Sequence, residues 1–290
     1  MPVLHATGRA TAADGTGIAY YDLGGPGPAV LLAHATGFCG AVLAPLATRM
    51  ADGHRCVAFD ERAHGSSDRP PREDFGWYGF AADVLAVVDH LGLRGTAGFG
   101  HSCGAAALLL AEEARPGTFT TLYCYEPVLY PFDTPLAPTA EGNPLAAGAR
   151  RRREVFSSPA EALQNFSTKA PFDRLHPEAL AAYVDNGFAP GPGGIGLRCR
   201  RDDEARVYAH GLAHDTFAHL DRVRCPVTLA CGAETDAIGA DVLELVAGRL
   251  AAATMEVLPG LGHFGPLEDP DALARSVMAS MNRGSDTPGA

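Results

Sequence analysis

The stretch from Thr96 to Ala114 constrains the fold most. A short strand-like run, Thr96–Phe99, leads into Gly100-His101-Ser102-Cys103-Gly104 and then into an alanine-leucine helix, Ala105–Ala114, stopped by Pro116-Gly117. A strand that turns directly into a helix strains the corner residue, and glycines two before and two after it remove the side chains that would collide there. Such a corner lifts Ser102 Oγ above the sheet. The helix N-terminus then lies beneath it, with the Cys103 N–H facing any negative charge that develops on a bound carbonyl. This arrangement needs a parallel sheet for the helix to pack against. The neighbouring sequence supplies the pattern: Ile18–Leu23, Ala29–Ala33, Arg55–Phe59 and Thr120–Tyr125 read as strands, and Cys39–Met50 and Phe80–Leu91 as helices. Ala29–Ala33 is apolar throughout, as a strand buried on both faces must be.

The texture changes at Pro127. Prolines at 127, 131, 135, 138 and 144 break the alternation, and helical stretches without clear strands continue to about Leu220, interrupted by an Ala-Pro-Gly-Pro-Gly-Gly turn at 189–194. Strand-helix alternation then returns with Val227–Cys231, Ala240–Leu250, Thr254–Leu258 and Asp271–Met281, before a polar tail, Asn282–Ala290, expected to be loose. The expected organisation is an α/β core, residues 1–126 and 221–290, with a helical lid, residues 127–220. The lid is expected over the carboxyl ends of the strands, where open α/β sheets place their sites.

The 290 residues are 47% hydrophobic and 20% charged, the balance of an ordinary soluble domain, and the formal net charge is −11. That charge argues against a nucleic-acid or anionic-membrane partner. Met1–His5 carries no basic, then apolar, leader pattern, and no apolar run approaches the length of a membrane span. Seven scattered cysteines without CxxC spacing predict reduced thiols in a cytoplasm and no metal site.

A serine hydroxyl becomes a nucleophile only beside a general base that an acid holds in place. The base expected from position is His263, just after the last strand. The acid expected is Asp236, in Gly232-Ala233-Glu234-Thr235-Asp236, just after the preceding strand. Glu126, at the end of Thr120–Tyr125, and Glu234 are its rivals. The second oxyanion donor, beside the Cys103 N–H, is expected from His34-Ala35-Thr36-Gly37-Phe38, with Thr36 as the choice and Ala35 as its neighbour. Phe38, His101, Tyr130 and Phe264 are the substrate-pocket candidates, and the aromatics of the lid, some of which must line its inner face, favour a small, largely apolar substrate. Arg150–Arg153 is a basic concentration in an acidic chain. It is expected to be a solvated helix face, or else to recognise a carboxylate or an acidic carrier protein.

Together with Asp60-Glu61-Arg62-Ala63-His64-Gly65-Ser66-Ser67 and Gly262-His263-Phe264, these blocks resemble the α/β-hydrolase superfamily over nearly the full chain, in its serine-nucleophile, esterase-like branch with a helical lid. The resemblance implies a mainly parallel eight-stranded sheet flanked by helices, a lid after the sixth strand, and a Ser102–His263–Asp236 triad that needs no metal or cofactor. The implied reaction is cleavage of a carboxylic ester, thioester or lactone. An amidase or iminopeptidase, a C–C bond hydrolase, a lyase, or a ligand receptor with residual hydrolysis would use the same residues. Serine rather than aspartate at position 102 argues against epoxide hydrolase and haloalkane dehalogenase chemistry. Ala35 and Ala63 stand where the family pattern has glycine.

Overall fold

The computed structural model describes residues 3–132 and 134–285. Eight strands form one sheet: β1 (Gly8–Thr11), β2 (Gly17–Gly24), β3 (Ala29–Ala33), β4 (Arg55–Phe59), β5 (Thr96–His101), β6 (Phe119–Tyr125), β10 (Val227–Gly232) and β11 (Ala253–Leu258). Their spatial order is β1-β2-β4-β3-β5-β6-β10-β11. β1 and β2 pair antiparallel, as do β2 and β4, and every other pair in this sheet is parallel. β1 has no counterpart among the sequence-predicted strands. It is four residues long at a sheet edge and buries only Ala10, so it carries almost no hydrophobic alternation to read.

The central strands are buried on both faces, with alternate residues entering different cores. Val30, Leu32, Cys56, Ala58 and Phe99 join one cluster, and Leu31, Ala33, Val57, Phe59 and Leu122 join the other. On the second face lie α2 (Trp77–His90) and α3 (Cys103–Ala114), which pack together. On the first lie α1 (Ala44–Met50) and α11 (Pro270–Ser285), also packed together. α11 extends into the stretch expected to be loose, and residues 286–290 of that tail lie outside the described residues.

Between β6 and β10 the chain forms α4 (Pro144–Arg151), α5 (Pro159–Phe166), α6 (Pro177–Asn186), α7 (Arg201–Ala209) and α8 (Thr216–His219). This segment is not purely helical. β7 (Val155–Phe156), β8 (Phe188–Gly191) and β9 (Gly194–Leu197) form a small antiparallel sheet in the order β7-β9-β8. The glycine- and proline-rich turn at 189–194 closes the β8–β9 hairpin, and its flanking strands are too short to show a period of two. After β10 follow α9 (Ala240–Ala247), β11 and α10 (Gly265–Glu268).

Two buried features hold the β4 turn. Ala63 adopts φ 63°, a left-handed conformation that favours glycine, and bears the strain of a Cβ there, of order 1 kcal/mol. Arg62, fully buried, donates from Nε and Nη2 to both oxygens of buried Asp83 at 2.7 Å each. Arg62→Met removes the cation and leaves the Asp83 carboxylate buried without it. The expected loss is about 3–5 kcal/mol of stability, read as a lowered urea midpoint at unchanged slope. An unchanged midpoint would show that the pair adds nothing.

Candidate active site

Ser102 sits at the corner between β5 and α3 with φ 57° and ψ −117°, a strained conformation for a residue with a side chain. Its N–H donates to Tyr125 O at 2.9 Å, which ties the corner to the end of β6. A Cβ on Gly104 would lie 2.6 Å from Ala33 C and O, so only glycine lets α3 approach β3 this closely. Ser102 is 7% exposed.

His263 lies between β11 and α10, with its side chain 19% exposed. Its Nδ1 is 2.6 Å from Glu126 Oε2. A carboxylate oxygen accepts, so Nδ1 carries the proton and the Nε2 lone pair is left free. Two further contacts hold this loop: His101 Nε2 donates to His263 O at 2.8 Å, and the Tyr125 hydroxyl donates to Gly262 O at 2.7 Å. His101 is buried, and burial together with the neighbouring His263 pushes its pKa well below the usual histidine range. It therefore stays neutral and adds no second cation beside His263.

The structure corrects the expected acid. Glu126, not Asp236, meets His263. Glu126 is fully buried at the end of β6, with φ 46°, and its Oε1 accepts the Gly232 N–H at 3.1 Å. Oε2 also accepts the Thr235 hydroxyl at 2.7 Å and the Ile238 N–H at 3.4 Å. The loop after β10 thus donates to Glu126 rather than supplying the carboxylate that meets His263. Thr235 Oγ1 also accepts the Ala237 N–H at 3.1 Å, and within this turn Thr235 meets Glu126 while Asp236, the next residue, is exposed. Glu234 is exposed too, and pairs with Arg174 at 3.0 Å. Because β6 lies between β5 and β10, a side chain at its carboxyl end stands one strand from Ser102.

The loop after β3 is held by two neutral histidines. His34 Nδ1 donates to Ala35 O at 2.8 Å, and its Nε2 accepts the Glu61 N–H at 3.1 Å. His64 Nδ1 donates to Arg62 O at 2.9 Å, and its Nε2 accepts the Gly37 N–H at 3.0 Å. Burial lowers their pKa values to about 4 and about 3, so both keep these tautomers at neutral pH. His34 ties this loop to the turn after β4 through these two bonds. The Gly37 N–H is spent on His64 and the Phe38 N–H on Ala35 O, while the Thr36 side chain reaches the Cys103 thiol.

Of the pocket candidates, Phe38, His101 and Phe264 come together around His263. Ring centroids are 5.2 Å apart for His263–Phe264, 5.2 Å for His101–His263 and 5.5 Å for Phe38–Phe264. Tyr183 of the inserted segment packs on Phe38 at 5.2 Å. Tyr130 does not join this group: it packs against the core cluster of the α2–α3 face and beside Phe132. The arginine run divides. Arg150 and Arg153 pair with Asp202 and Glu161 at the surface, and Arg151 is exposed, whereas Arg152 turns inward to Glu204 and the Tyr183 hydroxyl.

Residues 30–276 match the model of the alpha/beta hydrolase family. The chain is 28% identical over 236 residues to a non-heme chloroperoxidase of Streptomyces lividans, covering 79% of this chain and 82% of that one. It is 22% identical over 253 residues to a 2-(acetamidomethylene)succinate hydrolase of Mesorhizobium japonicum, covering 87% of each. A crystal structure of an E-2-(acetamidomethylene)succinate hydrolase superposes with a TM-score of 0.81 at 22% identity, over 96% of this chain and 100% of that one. With the strand order and the corner at Ser102, the family match settles the classification: the chain belongs to the alpha/beta hydrolase family.

Proposed function

We propose that the protein is a serine hydrolase that cleaves a carboxylic ester, thioester or lactone through an acyl-enzyme on Ser102. The observation that carries this reading is the 2.6 Å contact between His263 Nδ1 and buried Glu126, one strand from the strained Ser102 corner. His263 Nε2 takes the Ser102 proton as Oγ attacks the carbonyl carbon. Glu126 keeps the imidazole in that tautomer and stabilises the cation that forms. The Cys103 N–H, at the start of α3, and the Thr36 N–H receive the oxyanion. Thr36 is favoured because the Gly37 and Phe38 N–H groups are already engaged. The tetrahedral intermediate collapses as His263 passes its proton to the leaving alcohol or thiol, and water then releases the acyl group by the same route.

The aromatic group of Phe38, Phe172, Tyr183 and Phe264 supports a small, largely apolar acyl portion. Arg152 supports a second reading, in which the substrate also carries a carboxylate. Of the four arginines in the run it is the one turned inward, and its guanidinium adjoins Gly37. A substrate carboxylate there would have to displace Glu204 from Arg152, whereas Arg150 and Arg153, where an acidic carrier protein would dock, pair with Asp202 and Glu161 at the surface. The seven buried, unbridged cysteines suit a cytoplasmic location.

The test is turnover of matched chromogenic esters, one with an acetyl or butyryl group and one with a succinyl group. The account predicts sustained, multiple turnover of the neutral esters. A lower KM for the succinyl ester that disappears in Arg152→Met supports the carboxylate reading. A single slow turnover of every ester marks a receptor and overturns the hydrolase assignment.

A further inference from the structure

Glu61 is a buried carboxyl group that the proposed mechanism does not use. It follows β4, it is 1% exposed, and neither of its oxygens has a hydrogen-bond partner of normal geometry among the described residues. A buried, unpartnered polar side chain in a native fold calls for a reason. The cation beside it is not available to it. Arg62 is held by both oxygens of Asp83, by Asp14 Oδ2 at 3.2 Å and by Asp74 O at 3.2 Å.

The groups facing Glu61 come from four parts of the fold. Asp60 and Arg62 flank it in its own loop, Asp83 faces it from α2, and Cys103 faces it from the first residue of α3. Cys199, just before α7, feels its charge from the inserted segment. The Thr36 side chain and the Glu61 carboxyl both act on the Cys103 thiol. The Glu61 N–H donates to His34 Nε2 at 3.1 Å, which ties this residue to the loop that carries Thr36, the second proposed oxyanion donor.

We propose that Glu61 works as an uncharged carboxylic acid behind the oxyanion site, a positioning residue set against the start of α3 and the loop that carries Thr36, whose ionisation suppresses the reaction. Two acidic neighbours, a cation engaged elsewhere and a weak thiol donor make this a poor place for a negative charge. Accordingly, burial, the largest influence, pushes the Glu61 pKa well above the carboxylate range, and Asp83 and Asp60 push the same way. In the neutral form the N–H groups and the α3 N-terminus set the potential at the oxyanion. In the charged form a second anion lies behind the residue whose N–H must stabilise the first. In a site shielded from water this slows acylation on the order of tenfold or more.

This inference rests on Ser102 as the nucleophile, and one experiment tests both. The rate at which a fluorophosphonate probe labels the protein is measured from about pH 5 to about pH 10 for the wild type, Glu61→Gln and Glu61→Met, each with wild-type circular dichroism. In the wild type, labelling should fall at least about tenfold on the alkaline side of its maximum. Both variants should rise and hold level, because neither side chain can ionise. A change in packing alone would shift rates at every pH and leave the alkaline fall in place. A wild-type rate that stays level to the top of the range overturns the proposal, as does an alkaline fall that survives in a folded variant. Loss of labelling at neutral pH in folded Glu61→Gln would mean that the charged form is the working one, and overturns it too. Absence of wild-type labelling at every pH overturns the Ser102 reading, and this inference with it.

Discussion

Ser102→Ala is expected to lower kcat by about 10⁶ while leaving the melting temperature near that of the wild type. The change removes one oxygen from a residue that is 7% exposed. It keeps the Ser102 N–H bond to Tyr125 O and leaves the α3 start intact. Position 102 still needs its unusual φ and ψ, so the strain of the corner is the same for alanine as for serine. What remains is the activity of a site that binds and polarises a carbonyl without attacking it. The measurement is steady-state turnover of a neutral chromogenic ester together with fluorophosphonate labelling. A folded Ser102→Ala protein that is still labelled would remove Ser102 from the chemistry.

The Ser102 corner was legible because its steric requirements are written in residue types. A strand entering a helix through a serine needs room on both sides, and the crowding at Gly104 against Ala33 is the physical form of that requirement. The parallel core was legible for a similar reason: strands such as β3, buried on both faces, must be apolar along their whole length. His263 follows the last strand in sequence as in space. The acid was misread because its position depends on which strands are neighbours. The chain order serine, acid, histidine admits a carboxylate after β6 or after β10, and Asp236 lay in the expected loop. What distinguishes Glu126 is the β5-β6-β10 adjacency together with a φ of 46° that a glutamate seldom adopts. One signal was present: Glu126 follows directly on the apolar β6 run Leu122–Tyr125, so its side chain starts from a buried strand end. β1 and the small sheet of the inserted segment were missed because strands of two to four residues carry too little alternation to stand out.

Glu126→Gln is expected to lower kcat by about 10⁴, the scale seen when the triad acid of a serine protease becomes its amide. The reason lies in the tautomer. The Glu126 carboxylate can only accept, so it fixes the proton on His263 Nδ1 and leaves Nε2 free for the Ser102 proton. A glutamine amide turned toward Nδ1 can donate instead, which moves the imidazole proton to Nε2 and disables the base. The imidazolium formed during attack also loses its compensating charge, in a position that is fully buried. Asp236→Asn alters an exposed side chain away from this contact and is expected to change kcat less than about twofold, as surface substitutions do.

The most direct test of the account is therefore the ratio of two rates. Glu126→Gln and Asp236→Asn are assayed side by side on one neutral ester at one pH, each protein having a wild-type circular dichroism spectrum. The account predicts that Asp236→Asn turns over at least about 10³ times faster than Glu126→Gln. Equal rates, or an Asp236→Asn protein that is the slower of the two, would contradict the placement of Glu126 behind His263.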